Sequence, residues 1–271
     1  MEGLRGEALR ACPWHYRGMV NATIFQFMQM FRNDLNLNKS DKVRAKHDKT
    51  MAHDETVWGG VFYPFSKENE NTRLGVGWGS MLDKMASYAE RLGDVKKGEG
   101  RIFPLVGGIN SVIRSYHTNE IVRILALKSG KRPTFLYIPA LLDTNADLEL
   151  TKRTEPYALI EKEWRAMDQA VVSLSNYPDL GVKSFYGNRL TEQRAVGRIL
   201  AYYFDVNGRI VQPLEEMALQ IPMDVLRRVN VTALCSGQVK PEAVAGALRL
   251  GIINTLMLPF GLAARVLELQ E

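Results

Sequence analysis

Apolar residues in this chain recur at two different spacings, and the change from one to the other divides the sequence. Ile24, Phe27, Met28, Phe31 and Leu35 fall at helical intervals and predict one amphipathic helix, with Phe25 and Met30 off the stripe as a second apolar contact. Residues 36–55 are polar, include His47 and His53, and read as a linker or mobile loop. From residue 56 short β-rich runs alternate with helical stripes. The expected strands are Val57–Tyr63, Arg73–Val76, Ile102–Val106, Thr134–Ile138, Ala170–Leu174, Val231–Cys235 and Ile252–Leu258. The helical stripes are Leu82, Met85, Ala86 and Ala89; Ile121, Ile124 and Leu125; Tyr157, Ile160, Trp164 and Met167; Val196, Ile199, Leu200 and Tyr203; and Val244, Ala247 and Leu248. Strands alternating with helices predict an α/β fold, a mostly parallel open sheet with helices on both faces. The division expected is an N-terminal helical segment with linker, 1–55, and one larger domain, 56–271.

Composition narrows the classes. The 271 residues are 46% hydrophobic and 24% charged, enough for a sizeable core. No apolar run approaches the roughly 20 residues of a membrane span, and Met1 to Cys12 lacks the apolar stretch of a secretory signal. Cys12 and Cys235 are far apart without metal-ligand neighbours, which fits a reduced, cytoplasmic setting. The net charge of +5 admits a nucleic-acid partner, but its one cluster, Lys39, Lys42, Arg44, Lys46 and Lys49, is interrupted by Asp41 and Asp48 and reads as a solvated linker. His15, His47, His53 and His117 show no metal spacing. No dinucleotide fingerprint, P-loop or nucleophile elbow is present, so neither a metal nor a cofactor is expected.

In an open parallel sheet, ligands bind beyond the carboxyl ends of the strands, so the loops there are the places to look. The first is Gly75-Val76-Gly77-Trp78-Gly79-Ser80, where backbone N–H groups and a helix start could face an anion, or simply make a tight turn with Ser80 as N-cap and Asp83 completing a capping box. The second is Pro104-Leu105-Val106-Gly107-Gly108-Ile109-Asn110, whose paired glycines allow close approach and whose Asn110 could meet a hydroxyl. The third is Cys235-Ser236-Gly237-Gln238-Val239-Lys240-Pro241. Pro241 suits the first helical position, which leaves Lys240 at a helix start, where the dipole disfavours a cation unless an anion is bound nearby. Asp143, Asp147 and Glu149 fall in a polar stretch read as a loop. Tyr157, Trp164 and Cys235 read as core.

Together these pieces resemble the effector-binding domain of the SorC family of sugar-responsive regulators. The matching runs are Leu74-Gly75-Val76-Gly77-Trp78-Gly79-Ser80, Phe103-Pro104-Leu105-Val106-Gly107-Gly108, Ala195-Val196-Gly197 with Tyr203-Phe204-Asp205-Val206-Asn207-Gly208, and Ser236-Gly237-Gln238-Val239-Lys240 with Ala245-Gly246-Ala247-Leu248-Arg249. The resemblance implies a Rossmann variant like the phosphosugar isomerases, without catalysis, that binds a sugar or sugar phosphate effector. It implies that Gly77, Trp78, Gly79, Ser80 and Lys240 hold a phosphate, that Gly107, Gly108 and Asn110 line the sugar, and that Gln238 joins them. It further implies a homo-oligomer, dimer or tetramer, that contacts DNA through a helix-turn-helix, of which residues 1–70 show no convincing example.

Four departures from the family pattern stand out. Ser236 replaces a glycine, Leu258-Pro259-Phe260 replaces "TDE", Ser173-Leu174-Ser175 replaces "GIG", and Arg198 stands where many relatives carry an acidic residue. The alternative is a phosphosugar isomerase or deaminase, for which Asp143, Asp205 and His117 are the available acid–base groups.

Overall fold

The computed structural model describes residues 71–91, 98–109, 114–178, 189–211 and 218–269. The expected helix at Ile24–Leu35, the strand Val57–Tyr63, the boundary near residue 55, Asn110 and the histidines His15, His47 and His53 lie outside the described residues.

Among the described residues eight strands form one sheet. They are β1 (Arg73–Val76), β2 (Arg101–Pro104), β3 (Arg132–Pro133), β4 (Gln169–Asn176), β5 (Gly197–Ile199), β6 (Tyr202–Phe204), β7 (Asn230–Cys235) and β8 (Thr255–Met257). The helices are α1 (Ser80–Arg91), α2 (Thr118–Ser129), α3 (Asn145–Thr151), α4 (Glu155–Arg165), α5 (Arg189–Glu192), α6 (Met223–Leu226), α7 (Pro241–Arg249) and α8 (Phe260–Glu268). All pairings among β3, β2, β1, β4, β7 and β8, taken in that order across the sheet, are parallel. Counted by themselves in chain order, these six strands run 3-2-1-4-5-6, the doubly wound order.

Alternation along the strands sends side chains to two helical layers. Leu74, Val76, Val171 and Leu234 pack with Met81, Leu82, Met85 and Ala86 of α1 and Ile121, Val122 and Leu125 of α2. Ala170, Val172, Leu174, Ala233 and Cys235 pack on the opposite face with Ile160 and Trp164 of α4, Val244 and Ala247 of α7, and Leu262 of α8. The indole of Trp164, wholly buried, donates from Nε1 to the Pro104 carbonyl (2.8 Å). Buried Glu163 pairs with Arg73 and Arg101 at the amino ends of β1 and β2. Gly130 ends α2 at φ 69°, its N–H donating to Ala126 O.

Three expectations need correction. Residues 134–138 are not a strand: only Arg132 and Pro133 pair with β2. The amide of Asn119 saturates the Leu136 backbone instead, accepting its N–H and donating to its carbonyl, both at 3.0 Å. The stretch carrying Asp147 and Glu149 is helix α3, started by Thr144, whose hydroxyl accepts the Asp147 N–H (3.1 Å). The stripe Val196, Ile199, Leu200 and Tyr203 is no helix but the antiparallel hairpin β5–β6. Leu200 sits at its turn with φ 54°, and burial on both sides makes the hairpin apolar at spacings that imitate a helical stripe.

Candidate functional site at the carboxyl edge

Because β1, β2, β4 and β7 are parallel, the loops that follow β1, β2 and β7 emerge along one edge of the sheet. β1 and β7 flank β4, so the two strands lie about 10 Å apart at the usual strand spacing, and β7 continues along β4 to Leu174 where β1 stops at Val171. β4 also changes neighbour along its length. Leu74–Val76 of β1 pair with Gln169–Val171, and beyond them β5 pairs with Leu174–Asn176. The hairpin therefore stands over the end of β1, beside the β1/β4 crevice where the strand order reverses.

The loop after β1 is tightly held. Gly77 donates its N–H to Val171 O (2.9 Å), and a Cβ there would lie 2.7 Å from Leu200 Cδ2, so the hairpin turn rests on it. Trp78 is buried edge-on against Tyr116, with centroids 5.5 Å apart. Gly79 has φ 127°, donates to Ser115 O (2.8 Å), and accepts the Asp83 N–H (3.0 Å). Gly79 rather than Ser80 is thus the N-cap, and Ser80 is the exposed first residue of α1. The sequence placed the cap one residue late, since only glycine tolerates this φ. The N–H groups of Ser80, Met81 and Leu82 have no acceptor within the helix. Against this start lies Ser173 of β4, 4% exposed, its hydroxyl without a partner and 2.8 Å from where a Gly79 Cβ would sit.

In the loop after β2, Gly107 donates to Leu219 O (3.0 Å) and Gly108 to Ile138 O (2.9 Å). A Cβ on Gly107 would lie 2.5 Å from the Ile138 carbonyl, so this glycine serves a close backbone crossing. Both N–H groups are engaged within the chain, leaving the exposed side of Gly108 as the part open to solvent.

The loop after β7 is clamped to β4 by one side chain. Asn176 Nδ2 donates to Gln238 O (3.1 Å), and Asn176 Oδ1 accepts the Lys240 N–H (2.7 Å). Lys240 is the N-cap of α7 with Pro241 as its first helical residue, as the sequence predicts. Its ammonium is exposed and bonds no described residue. Gln238 is exposed too. Among the described residues the β7 end of the edge therefore carries the exposed Lys240 and Arg265, whose guanidinium donates to Gly237 O (3.2 Å), while the β1 end is a fixed, donor-rich corner.

Sequence reasoning missed Tyr116 and Gln220 in that corner, and met Ser173 and Arg198 only as departures from the family pattern. Arg198, 5% exposed, donates to Leu200 O (3.1 Å) and to Tyr116 Oη (3.0 Å), with its guanidinium carbon 5.7 Å from the Tyr116 ring centre. Gln220, bridged to Val106, accepts the Ala201 N–H at Oε1 (2.9 Å), while its Nε2 is buried without a partner. The indole Nε1 of Trp78 is likewise buried and unpartnered. Tyr116, Ser173, Arg198 and Gln220 come from four separate segments. The available signal was a single polar residue inside an apolar run, as with Arg198 between Val196 and Ile199 or Gln220 between Leu219 and Ile221.

The acid–base candidates lie on three separate segments. Asp143 is exposed before α3, His117 is exposed at the start of α2, and Asp205 Oδ1 is occupied by the N–H groups of Asn207 and Arg209, both at 2.9 Å. Cys235 is buried and free, and burial pushes its thiol far above the usual range. Among the described residues no three His, Cys, Asp or Glu side chains group as a metal site, and no helix is long and apolar enough to cross a membrane.

Residues 66–268 match the family model described as "Putative sugar-binding domain". Among solved structures, the chain is similar to a transcriptional regulator from Streptococcus pneumoniae TIGR4, with TM-score 0.71 and 20% identity, covering 91% of this chain and 97% of that one. It is also similar to the full-length sorbitol operon regulator SorC from Klebsiella pneumoniae, with TM-score 0.69 and 20% identity over 92% of this chain and 83% of the other. At those identities the likeness is one of fold. By sequence, 77 residues are 34% identical to the transcriptional regulator LsrR of Escherichia coli K12, covering 27% of this chain and 24% of LsrR. The match thus spans about a quarter of that curated relative's length.

Proposed function

The chain belongs to the sugar-binding domain family, and from that premise we propose that it is the effector-sensing part of a cytoplasmic transcription regulator, binding a sugar phosphate without turning it over. In this reading residues 56–271 are the sensing domain, and residues 1–55 are a helical segment and linker. The phosphate lies at the start of α1, on the N–H groups of Ser80 and Met81 and on Ser173 Oγ, with Gly77 and Gly79 permitting the approach. Lys240 reaches over from the β7 side as a mobile counter-charge. Trp78, Gln238 and the Gly107–Gly108–Asn110 loop border the sugar. Copies of the chain associate as dimers or tetramers, DNA contacts come from a helix-turn-helix region, and the ligand favours one assembly over another.

The observation that carries this reading is the unpartnered, buried hydroxyl of Ser173 against the positive-φ glycine that begins α1, beside the switch point of the sheet. A buried polar group without an acceptor or donor costs about 1–3 kcal/mol, which a bound anion would offset.

Thermal unfolding against a panel of sugars and sugar phosphates tests it. A ligand at about 100 times its Kd stabilises by roughly 2.7 kcal/mol, a shift of several degrees in a chain of this size. Ser173→Val should reduce the shift for phosphorylated members most. No shift with any member at millimolar concentration overturns the proposal.

A further inference from the structure

The chain that runs on from β3 exposes aromatic surface in a regular row. Bonds on its inner side hold the strip in place: Asn119 takes both backbone groups of Leu136, Ile138 O accepts the Gly108 N–H (2.9 Å), and the Ala140 N–H donates to Gly108 O (2.7 Å). Leu136 turns into the core, 2% exposed. By alternation Pro133, Phe135, Tyr137 and Pro139 share the opposite side, and all four are exposed. Phe135 and Tyr137 are 37% and 83% exposed, with ring centroids 6.1 Å apart. Single apolar residues on a surface are ordinary, but adjacent aromatics flanked by prolines make a patch. Aromatic enrichment with few charges marks the centres of interfaces. Because its bonds already order the strip, docking on it costs little backbone entropy.

The charges at its two ends have opposite sign. Residues 133–142 carry none, Arg132 precedes them and Asp143 follows. Both are exposed, and they stand the same number of residues from the Tyr137–Ile138 bond.

We infer that this strip docks on the same strip of a second copy, antiparallel across a two-fold axis beside Tyr137, with Arg132 of each copy facing Asp143 of the other. The two-fold makes the contact self-complementary: the aromatic centres meet, and a basic end lies on an acidic end twice. A parallel arrangement would set Arg132 on Arg132 and Asp143 on Asp143. A face that is used on itself leaves no open end, so the contact closes at a pair of copies and does not grow into a filament. The inference rests on the reading that copies of the chain associate, names the surface by which they do so, and holds whichever ligand is bound.

The test is sedimentation equilibrium of the full chain over a wide range of protein concentration. The parent should associate. Tyr137→Ala should raise the dissociation constant of one step at least about thirtyfold, the effect of truncating an aromatic anchor at the centre of an interface. Arg132→Asp and Asp143→Arg should each raise it about tenfold by setting like charges against each other, and the double variant Arg132→Asp/Asp143→Arg should return it to near the parent value. All three side chains are exposed, so the variants should keep the parent melting temperature, which is checked alongside. Restoration in the double variant is a result that a merely weakened fold would not give. Association that persists unchanged in Tyr137→Ala, or charge reversals that add up without restoration, overturns the docking surface and leaves the reading that copies associate. A parent that stays monomeric overturns both. Should Tyr137→Ala fail to fold, the charge cycle decides. Melting shifts with sugar phosphates are read on the same proteins: a parent that associates as stated but shows no shift overturns the effector reading alone.

Discussion

Gly79→Ala is the substitution that tests most of this geometry at once. Gly79 has φ 127°, and an added Cβ would sit 2.7 Å from Ser173 Cβ and 2.8 Å from its Oγ. Holding a non-glycine residue in such a backbone region costs roughly 1–3 kcal/mol. Carbon atoms prefer about 3.5–4.0 Å, so the overlap adds an overpacking cost of roughly 1–3 kcal/mol. The two together come to about 2–6 kcal/mol, a fall in Tm on the order of 10 °C for a chain of this size. Calorimetric or urea unfolding measures it. The double variant Gly79→Ala/Ser173→Gly separates the parts, because removing the serine side chain relieves the overlap and leaves the backbone strain. A coupling of about 1–3 kcal/mol is expected in that cycle. A Gly79→Ala chain that melts within about 1 °C of the parent, or a cycle without coupling, would refute the placement of Gly79 against Ser173.

Other outcomes follow from buried groups. Trp164→Phe removes the donor to Pro104 O and leaves that carbonyl buried and unmatched, and should cost about 1–3 kcal/mol in denaturant unfolding with an unchanged m-value. Of the two thiols, Cys235 should stay unreactive toward a thiol reagent in the native chain at mildly alkaline pH and react once unfolded. The same burial sets a sign for pH. The folded chain holds the Cys235 proton while the unfolded chain releases it in the ordinary thiol range near 9.0, so its contribution is full below that range and stability declines as pH rises beyond it. A Cys235→Ala chain that loses stability just as steeply at alkaline pH would remove this cause.

What the sequence carried was mostly local. The β1 and β7 strands, helices α1, α2, α4 and α7, and the glycine loops at strand ends were legible because period, caps and breakers lie within a few residues of one another. The hairpin β5–β6 was not. Its spacing of Val196, Ile199, Leu200 and Tyr203 fits a helix as well, and the deciding fact, pairing of Ser175 with Arg198, joins segments far apart in the chain. Residues 134–138 look like a strand, yet a distant asparagine amide takes the place of a neighbouring strand. The site divides in the same way. Gly79 and Lys240 announce themselves by glycine content and by a cation at a helix start. Ser173 and Gln220 are ordinary polar residues until tertiary packing leaves each with an unmatched atom.

The margin of the sheet at β3 carries a consequence for how copies of this chain can meet. Arg132 and Thr134 turn their N–H groups inward, to Gly100 O and Ile102 O. By alternation the residue between them faces outward, and that residue is Pro133, which has no N–H to offer. An arriving strand would find a carbonyl without its companion donor, next to a charged arginine. This border cannot be continued by a neighbour's backbone, so any self-association there must be built from side chains.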